Sequence, residues 1–177
     1  MSSVLLSISG HDRAGIVRDV AEALLDLNAN IEDSSMTALR GRFTMMLIVR
    51  MSEDRSMGEL KAALAELEQR TRLTVQSQTI SDEEASVSAL EPDHIITVHG
   101  ADKAGIVYAV TDALASLGVS VVDVSTQARD SNQGSVYMMV LEVAAGKQGD
   151  AMKAALGTVG ERIAVEIDLH ILDDAVL

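Results

Sequence analysis

The chain has 177 residues, with 14 Lys and Arg against 27 Asp and Glu, for a formal net charge of −13. This length allows one large domain or two small ones. The negative charge repels nucleic-acid phosphates, and aromatic residues, at 2%, are too few to stack unpaired bases, so we expect no direct nucleic-acid partner. No cysteine is present, which excludes disulfides, thiolate nucleophiles and thiolate metal ligands.

The N-terminal sequence lacks the basic and apolar pattern of a signal peptide. The longest uninterrupted apolar run, residues 136–141, is far shorter than the roughly 20 residues of a membrane span. The sequence therefore predicts a cytoplasmic protein without a membrane partner.

An internal repeat organises the chain. GHDRAGIV at residues 10–17 returns as GADKAGIV at residues 100–107. This predicts two copies of one small domain, at residues 1–81 and 94–177. Residues 82–93 are acidic and contain the single proline, which predicts a solvated linker. The first copy carries most of the arginines.

Each copy is predicted to fold in the order β-α-β-β-α-β. In the first copy, alternating apolar residues predict a strand at 4–9, and helical spacing predicts a helix at 15–28 capped by Asp12. Two β-rich runs joined by a polar turn predict a hairpin of 31–39 with 43–51. An S-x-x-E capping box at Ser56 predicts a helix from 56, which a strand at 73–80 follows. The second copy repeats them: a strand around 96–98, a helix from 106, a hairpin of 121–129 with 135–143, a helix at 150–159 and a strand at 164–172. The predicted fold class is α+β, two ferredoxin-like domains in tandem, each with an antiparallel four-stranded sheet and helices on one face.

The glycine turn after each first strand is the main functional candidate. Gly10 and Gly15 have the spacing of a phosphate loop, but no Lys follows, and Asp12 and Asp102 oppose a polyphosphate. One interpretation is purely geometric, since glycine allows the chain to turn. The other is that N–H groups at the helix start bind a carboxylate while Asp12 or nearby carbonyls receive an ammonium, which points to a zwitterion such as an α-amino acid.

The strand, the G-x-D-[RK]-x-G-I-V turn and the N-I-x-D start of the second strand resemble the ACT domain, a ligand-sensing module of amino-acid metabolism. A tandem pair without a catalytic domain is similar to the glycine cleavage system transcriptional repressor family. The resemblance implies an amino acid bound between two such domains. In the first copy it implicates Asp12, Arg13, Ala14, Gly15 and Ile16 with Asn30 and Ile31. In the second copy it implicates Asp102, Lys103, Ala104, Gly105 and Ile106 with Ser120 and Val121.

The sequence does not decide the role of two candidate positions, Ser120 and Asn30. Ser120 replaces the asparagine of the pattern and offers fewer hydrogen-bonding groups than an amide, so the second site is weaker, different or empty. Asn30 has an alternative role as a helix C-terminal residue in a left-handed conformation.

Other chemistries lack support in the sequence. The histidines show no metal-ligand spacing, and His94, His99 and His170 are predicted on solvated strand faces. No serine lies in a nucleophile elbow, so we expect no metal, cofactor or catalytic activity. The paired methionines 45–46 and 138–139 are predicted as flexible core residues.

The functional prediction is therefore a non-catalytic regulator that senses an amino acid. The resemblance implies glycine as the candidate ligand and a transcription activator as the protein partner. Exposed strand edges and small size favour a homodimer, and pairing of the two copies within one chain is the alternative. One alternative is a regulatory subunit that controls an amino-acid biosynthetic enzyme in trans. A small enzyme of the acylphosphatase kind is a third possibility, opposed by Asp12 and Asp102 in its phosphate loop.

Overall fold

The computed structural model describes residues 3–131 and 134–172. The chain divides into two compact units, one ending at Ser88 and the other starting at Ala89, which we call domain 1 and domain 2. Each domain contains one four-stranded antiparallel sheet and two long helices, so the predicted α+β class and the two ferredoxin-like domains are confirmed. Across the described ranges, no helix is long and apolar enough to cross a bilayer.

Domain 1 has the order β-α-β-β-α-β, in which the two central strands β3 and β1 separate the edge strands β2 and β4. Its elements are β1 Ser3–His11, α1 Ile16–Leu25, β2 Asn30–Leu39, β3 Arg42–Arg50, α2 Met57–Thr71 and β4 Thr74–Ile80. A short helix, α3 Asp82–Ala85, follows β4.

Domain 2 repeats this topology, with the strand order β6-β7-β5-β8. Its elements are β5 His94–Ala101, α4 Ile106–Ser116, β6 Ser120–Ser131, β7 Gly134–Ala144, α5 Gly149–Ile163 and β8 Val165–Ile171. A 3₁₀ turn at Gly146–Gln148 precedes α5.

The helices and the central strands of each sheet enclose a separate hydrophobic core. In domain 1, Leu6 on β1, Leu47 on β3, Leu24 on α1 and Leu60 on α2 are almost completely buried. The strand period of two places alternate residues of the central strands on this face. The edge strand β2 is exposed along its whole length.

Local signals decide where the helices begin and end. The predicted capping box at α2 is confirmed, since the Ser56 side chain accepts from the Glu59 N–H and the Glu59 carboxylate accepts from the Ser56 N–H. The prediction that Asp12 caps α1 is wrong, because the cap position is occupied by Gly15 and no side chain bonds there. The segment 82–93, predicted as a solvated linker, begins with α3, which has its own capping box from Ser81 to Glu84.

Two side-chain predictions also need correction. His94 is 8% exposed and not on a solvated face, because its ring lies against Gly149 and its Nδ1 lies 2.7 Å from Asp93 Oδ1. Of the methionine pair on β3, Met45 is buried but Met46 is 54% exposed, since adjacent strand residues face opposite sides of the sheet.

Candidate ligand-binding site

In domain 1, the candidate loop runs from Asp12 to Gly15, between the end of β1 and the start of α1. The Asp12 N–H donates to the Gly41 carbonyl at 2.9 Å, which ties the loop to the turn between β2 and β3. Gly15 has φ 85°, a left-handed conformation that strongly favours glycine. Because no side chain caps α1, its first-turn N–H groups remain available to solvent or to a ligand.

The loop of domain 2 has the same construction. The Asp102 N–H donates to the Ser135 carbonyl at 3.2 Å, and Gly105 precedes α4 with φ 95°. A Cβ atom placed on Gly105 would have no heavy atom within 4 Å, so the space beside this residue is open. Both copies thus present an uncapped helix start behind a left-handed glycine.

The first glycine of each motif has a different role. Gly10 and Gly100 lie in extended strands, and a Cβ on Gly100 would lie 2.8 Å from Val165 Cγ1. A Cβ on Gly10 would lie 2.6 Å from Leu73 Cδ2. These two glycines allow the first and last strands to pack closely, so the geometric interpretation holds for them.

An ion pair with Asp19 holds the side chain of Arg13, the residue that follows Asp12 in the loop of domain 1. Arg13 Nη2 lies 2.5 Å from Asp19 Oδ2, and Arg18 Nη2 lies 2.7 Å from Asp19 Oδ1. The Asp19 side chain is only 8% exposed. Hydrogen bonds from Arg13 and then Arg18 outweigh the effect of burial and lower the pKa of Asp19 to about 2. The loop therefore carries a guanidinium held in place by a buried carboxylate.

Sequence analysis missed Asp19 and Arg18. A comparison of the two copies could have found them, because both positions differ in domain 2. At the equivalent positions of α4, Tyr108 replaces Arg18 and Ala109 replaces Asp19. Lys103, the counterpart of Arg13, makes no ion pair with a residue that the structure describes. The two loops share a backbone geometry but differ in their side chains.

The alanine and the isoleucine of each loop differ in burial. Ala14 and Ala104 are exposed on the loops. Ile16 and Ile106 are 4% and 3% exposed, because they begin the apolar faces of α1 and α4. These two isoleucines can therefore offer a ligand their backbone N–H groups but not their side chains.

The second group of candidate residues begins the edge strands. Asn30 and Ile31 open β2, and Ser120 and Val121 open β6. A β-bulge follows Ile31 and another follows Val121, and both of these apolar residues are 39% exposed. The left-handed conformation proposed for Asn30 belongs instead to Asn28, with φ 52°.

Within one domain, the structure does not bring the two groups together. His11, just before the loop, pairs with Arg42, whereas Asn30 pairs with Arg50 at the far end of β3. Arg50 lies eight residue steps along β3 from Arg42, a span of about 27 Å at ~3.4 Å per residue. A small ligand at the loop therefore does not reach the strand-opening residues of the same domain.

The described residues contain no group of three or more His, Asp or Glu side chains arranged to hold a metal ion. The arrangement offers backbone donors, exposed carboxylates at Asp12 and Asp102, and one tethered guanidinium. These groups suit reversible binding of a small charged molecule.

The fold and the loop geometry together define a tandem repeat of a small α+β module. The family model described as ACT domain matches residues 2–78 and residues 93–170. The chain therefore belongs to the ACT domain family of regulatory modules, and it carries two copies of the domain.

Similar proteins agree with this architecture. A UPF0237 protein of Methanopyrus kandleri is 43% identical over 65 residues, which are 36% of this chain and 72% of that protein. A UPF0237 protein of Methanococcus maripaludis is 35% identical over 83 residues, which are 45% of this chain and 92% of that protein. Relatives of this length correspond to one of the two domains.

Solved structures match both domains at once. An unknown protein from Galdieria sulphuraria is 30% identical, with a TM-score of 0.79 over 97% of this chain and 99% of that chain. A protein with a suggested role as glycine cleavage system transcriptional repressor is 17% identical, with a TM-score of 0.73 over 98% of each chain. At 17% identity, the second match shows the shared fold alone.

Proposed function

We propose that the chain is a non-catalytic sensor of a small amino acid, with glycine as the first candidate, that acts by contact with a transcription activator. The observation that carries the proposal is the uncapped helix start behind a left-handed glycine, present in both domains. The suggested role of a protein of the same fold as a glycine cleavage system transcriptional repressor makes glycine the first ligand to test.

The charges at each loop match the two ends of an α-amino acid. First-turn N–H groups and the helix dipole favour a carboxylate at the start of α1 and α4. The exposed carboxylates of Asp12 and Asp102 lie on the same loops and can receive an ammonium group. An α-amino acid carries a carboxylate and an ammonium group on one carbon. It can therefore interact with the first-turn N–H groups and with the aspartate carboxylate of a loop.

The complete site is proposed to form in a homodimer. The loop residues and the residues that open β2 lie at opposite ends of their domain, and a second copy of the chain is proposed to supply one of the two groups. The exposed edge strand β2 offers unpaired backbone groups for such an association. Ligand binding then shifts the population of dimer arrangements in proportion to its differential affinity for them.

Protein contact is the proposed mode of action because the net charge of −13 opposes direct DNA binding. Affinity capture from a native lysate tests this part of the proposal. Recovery of a transcription activator supports it. Recovery of an amino-acid biosynthetic enzyme in its place would contradict it and favour a regulatory subunit that acts in trans.

Titration calorimetry of the twenty amino acids against the whole chain tests the ligand. We expect one small amino acid to bind. Gly15→Ala and Gly105→Ala each place a Cβ at a positive φ beside a helix start, and each should remove the heat from its own domain. Gly146→Ala is the matched control, because Gly146 also has a positive φ, 54°, and is not a candidate residue.

The outcomes separate the parts of the proposal. Unchanged affinity in both loop variants would refute the site. Equal losses in all three variants would indicate a general effect of backbone strain, which costs about 1–2 kcal/mol per left-handed alanine. No heat from any amino acid would refute the ligand.

A further inference from the structure

Three connections of domain 1 meet where β1 ends: residues 11–19, 39–42 and 72–74, together called here the arginine end. His11 pairs with Arg42 across the sheet, and the Asp12 N–H bonds to Gly41. A Cβ placed on Gly10 would lie 3.7 Å from the Arg72 carbonyl oxygen. These contacts bring together segments that are far apart in the sequence.

The arginine end concentrates positive charge in a chain that is strongly negative overall. Its three segments hold five arginines against two carboxylates. The arginines are Arg13, Arg18, Arg40, Arg42 and Arg72. All five are exposed.

Asp19 binds Arg13 and Arg18, and the other three arginines have no such partner. Arg40, Arg42 and Arg72 make no ion pair with any residue in the described ranges. Three guanidinium groups therefore face solvent at the same end of the domain, each with a planar set of donors that suits a carboxylate.

Two of these arginines occupy positions where the backbone favours other residues. Arg40 has φ 48° and Arg72 has φ 58°, both in the left-handed region. Glycine and asparagine adopt this conformation more readily than arginine does. Arg72 ends α2 and Arg40 begins the turn between β2 and β3, so these two turns place both guanidinium groups at the end of β1.

The opposite end of domain 1 has the reverse charge. Residues 26–33, 50–59 and 80–84 hold nine carboxylates against two arginines. Arg50 pairs with Glu32 there, and Arg55 pairs with Glu59. The separation of charge gives the domain a direction in which an approaching charged partner is oriented.

Domain 2 lacks this feature in the corresponding described segments. Residues 101–109, 129–131, 134–136 and 164–166 hold two basic residues, Lys103 and Arg129, against the three carboxylates of Asp102, Asp130 and Glu166. The arginine end is therefore a property of domain 1 and not of the repeat.

We propose that the arginine end is a docking surface for an acidic segment of a protein partner. Carboxylates match the paired donors of guanidinium groups. Nucleic acid fits less well, because these segments contain no Phe, Tyr or Trp for base stacking and the rest of the chain repels a long polyanion. A short peptide experiences mainly the charges within a Debye length, about 8 Å at physiological salt.

The inference rests on the proposed function only in that the chain acts by protein contact, and it does not depend on the identity of the small ligand. Because Arg13 belongs both to the arginine end and to the candidate loop, a ligand bound at the loop would lie beside the docked segment. The loop and the docking surface would then be coupled through a shared residue.

The test uses the whole chain and a fluorescein-labelled twelve-residue peptide in which Glu alternates with Ser, followed by fluorescence anisotropy at low and physiological salt. A labelled DNA duplex of equal charge is the comparison probe. The variant Arg40→Asn with Arg72→Asn removes two charges and places asparagine at two positive φ values, so the fold is kept. We expect its affinity for the peptide to fall about tenfold.

The matched control is Lys61→Gln with Lys153→Gln, which removes the same charge from exposed helix positions. Lys61 lies eleven residues before Arg72, about 16 Å away along α2. The control should bind the peptide within about twofold of the original chain, since Lys61 lies about two Debye lengths from Arg72 and Lys153 belongs to the other domain.

Several outcomes would overturn the inference. Equal losses in the two variants would mean that only net charge matters, and tighter binding of the duplex would identify a nucleic-acid surface. No peptide binding at low salt would also refute it. Salt-sensitive self-association that Arg40→Asn with Arg72→Asn abolishes would replace the partner with the acidic end of a second copy. Failure of every amino acid to bind in calorimetry would leave these outcomes unchanged.

Discussion

Substitution of Gly100 tests whether the first glycine of the motif is needed for packing. A Cβ on this residue would lie 2.8 Å from Val165 Cγ1, 3.2 Å from Val165 Cβ and 3.4 Å from Val165 Cα. Favourable carbon contacts lie at about 3.5–4.0 Å, so β5 and β8 would have to separate by several tenths of an ångström. Overpacking of this kind costs about 1–3 kcal/mol. We expect Gly100→Ala to lower the free energy of unfolding of domain 2 by this amount.

A double-mutant cycle isolates the contact itself. Val165→Ala removes Cγ1, the atom in closest contact, and costs about 1 kcal/mol because the valine is half-buried. In the double variant, the Cβ introduced at position 100 no longer contacts Val165 Cγ1, because that methyl group is absent. We therefore expect the double variant to be about 1 kcal/mol more stable than the sum of the single effects.

Tyrosine fluorescence makes the measurement possible in the whole chain. Tyr108 and Tyr137, the only tyrosines, both lie in domain 2, and the chain has no tryptophan. Tyrosine emission during urea unfolding therefore reports the unfolding of domain 2. If the free energy of unfolding depends on urea concentration with the same slope in every variant, the free energies of the variants can be compared. Strictly additive effects would refute the packing argument. Loss of amino-acid binding in Gly100→Ala at unchanged stability would show that the first glycine belongs to the ligand site.

Two further predictions concern domain 1, and circular dichroism can follow both. Because Arg13 and Arg18 lower the pKa of Asp19 to about 2 from the usual 3.8, its stabilising effect is present above pH ~4 and is lost as the pH falls through 2. The stability gap between the original chain and Asp19→Asn should therefore narrow from pH ~6 to pH ~2; a constant gap would contradict the ion-pair assignment. Ser56→Ala removes the capping box of α2 and should cost about 1 kcal/mol. No loss would mean that solvent satisfies the same N–H groups.

The sequence was sufficient for the architecture because the repeat and the periodicity are local. Alternation in β1 and helical spacing after Gly15 predicted the correct element types, and the same pattern in the second copy gave two domains. The capping box at Ser56 was readable for the same reason, since its partners lie three residues apart. Local patterns were less reliable at the start of α1, where Asp12 was predicted to cap the helix and Gly15 occupies the cap position.

Side-chain environments depended on neighbours that the sequence does not show. His94 was predicted to face solvent but is buried against α5 and bonded to Asp93. Burial would raise the pKa of Asp93, yet hydrogen bonds from the Ala145 N–H, the His94 ring and the Gly146 N–H lower it to about 2. Ala145 and Gly146 lie more than fifty residues away in the sequence.

The candidate site divides in the same way. The amino-acid sequence alone determined the two glycine turns and which of their residues can adopt a left-handed conformation, because these depend on residue type and short spacing. Only the tertiary structure separated Asn30 from the loop of its own domain and brought Arg40 and Arg72 to the end of β1. Antiparallel pairing and helix crossing decide which distant connections meet, and these contacts depend on the packing of the whole domain.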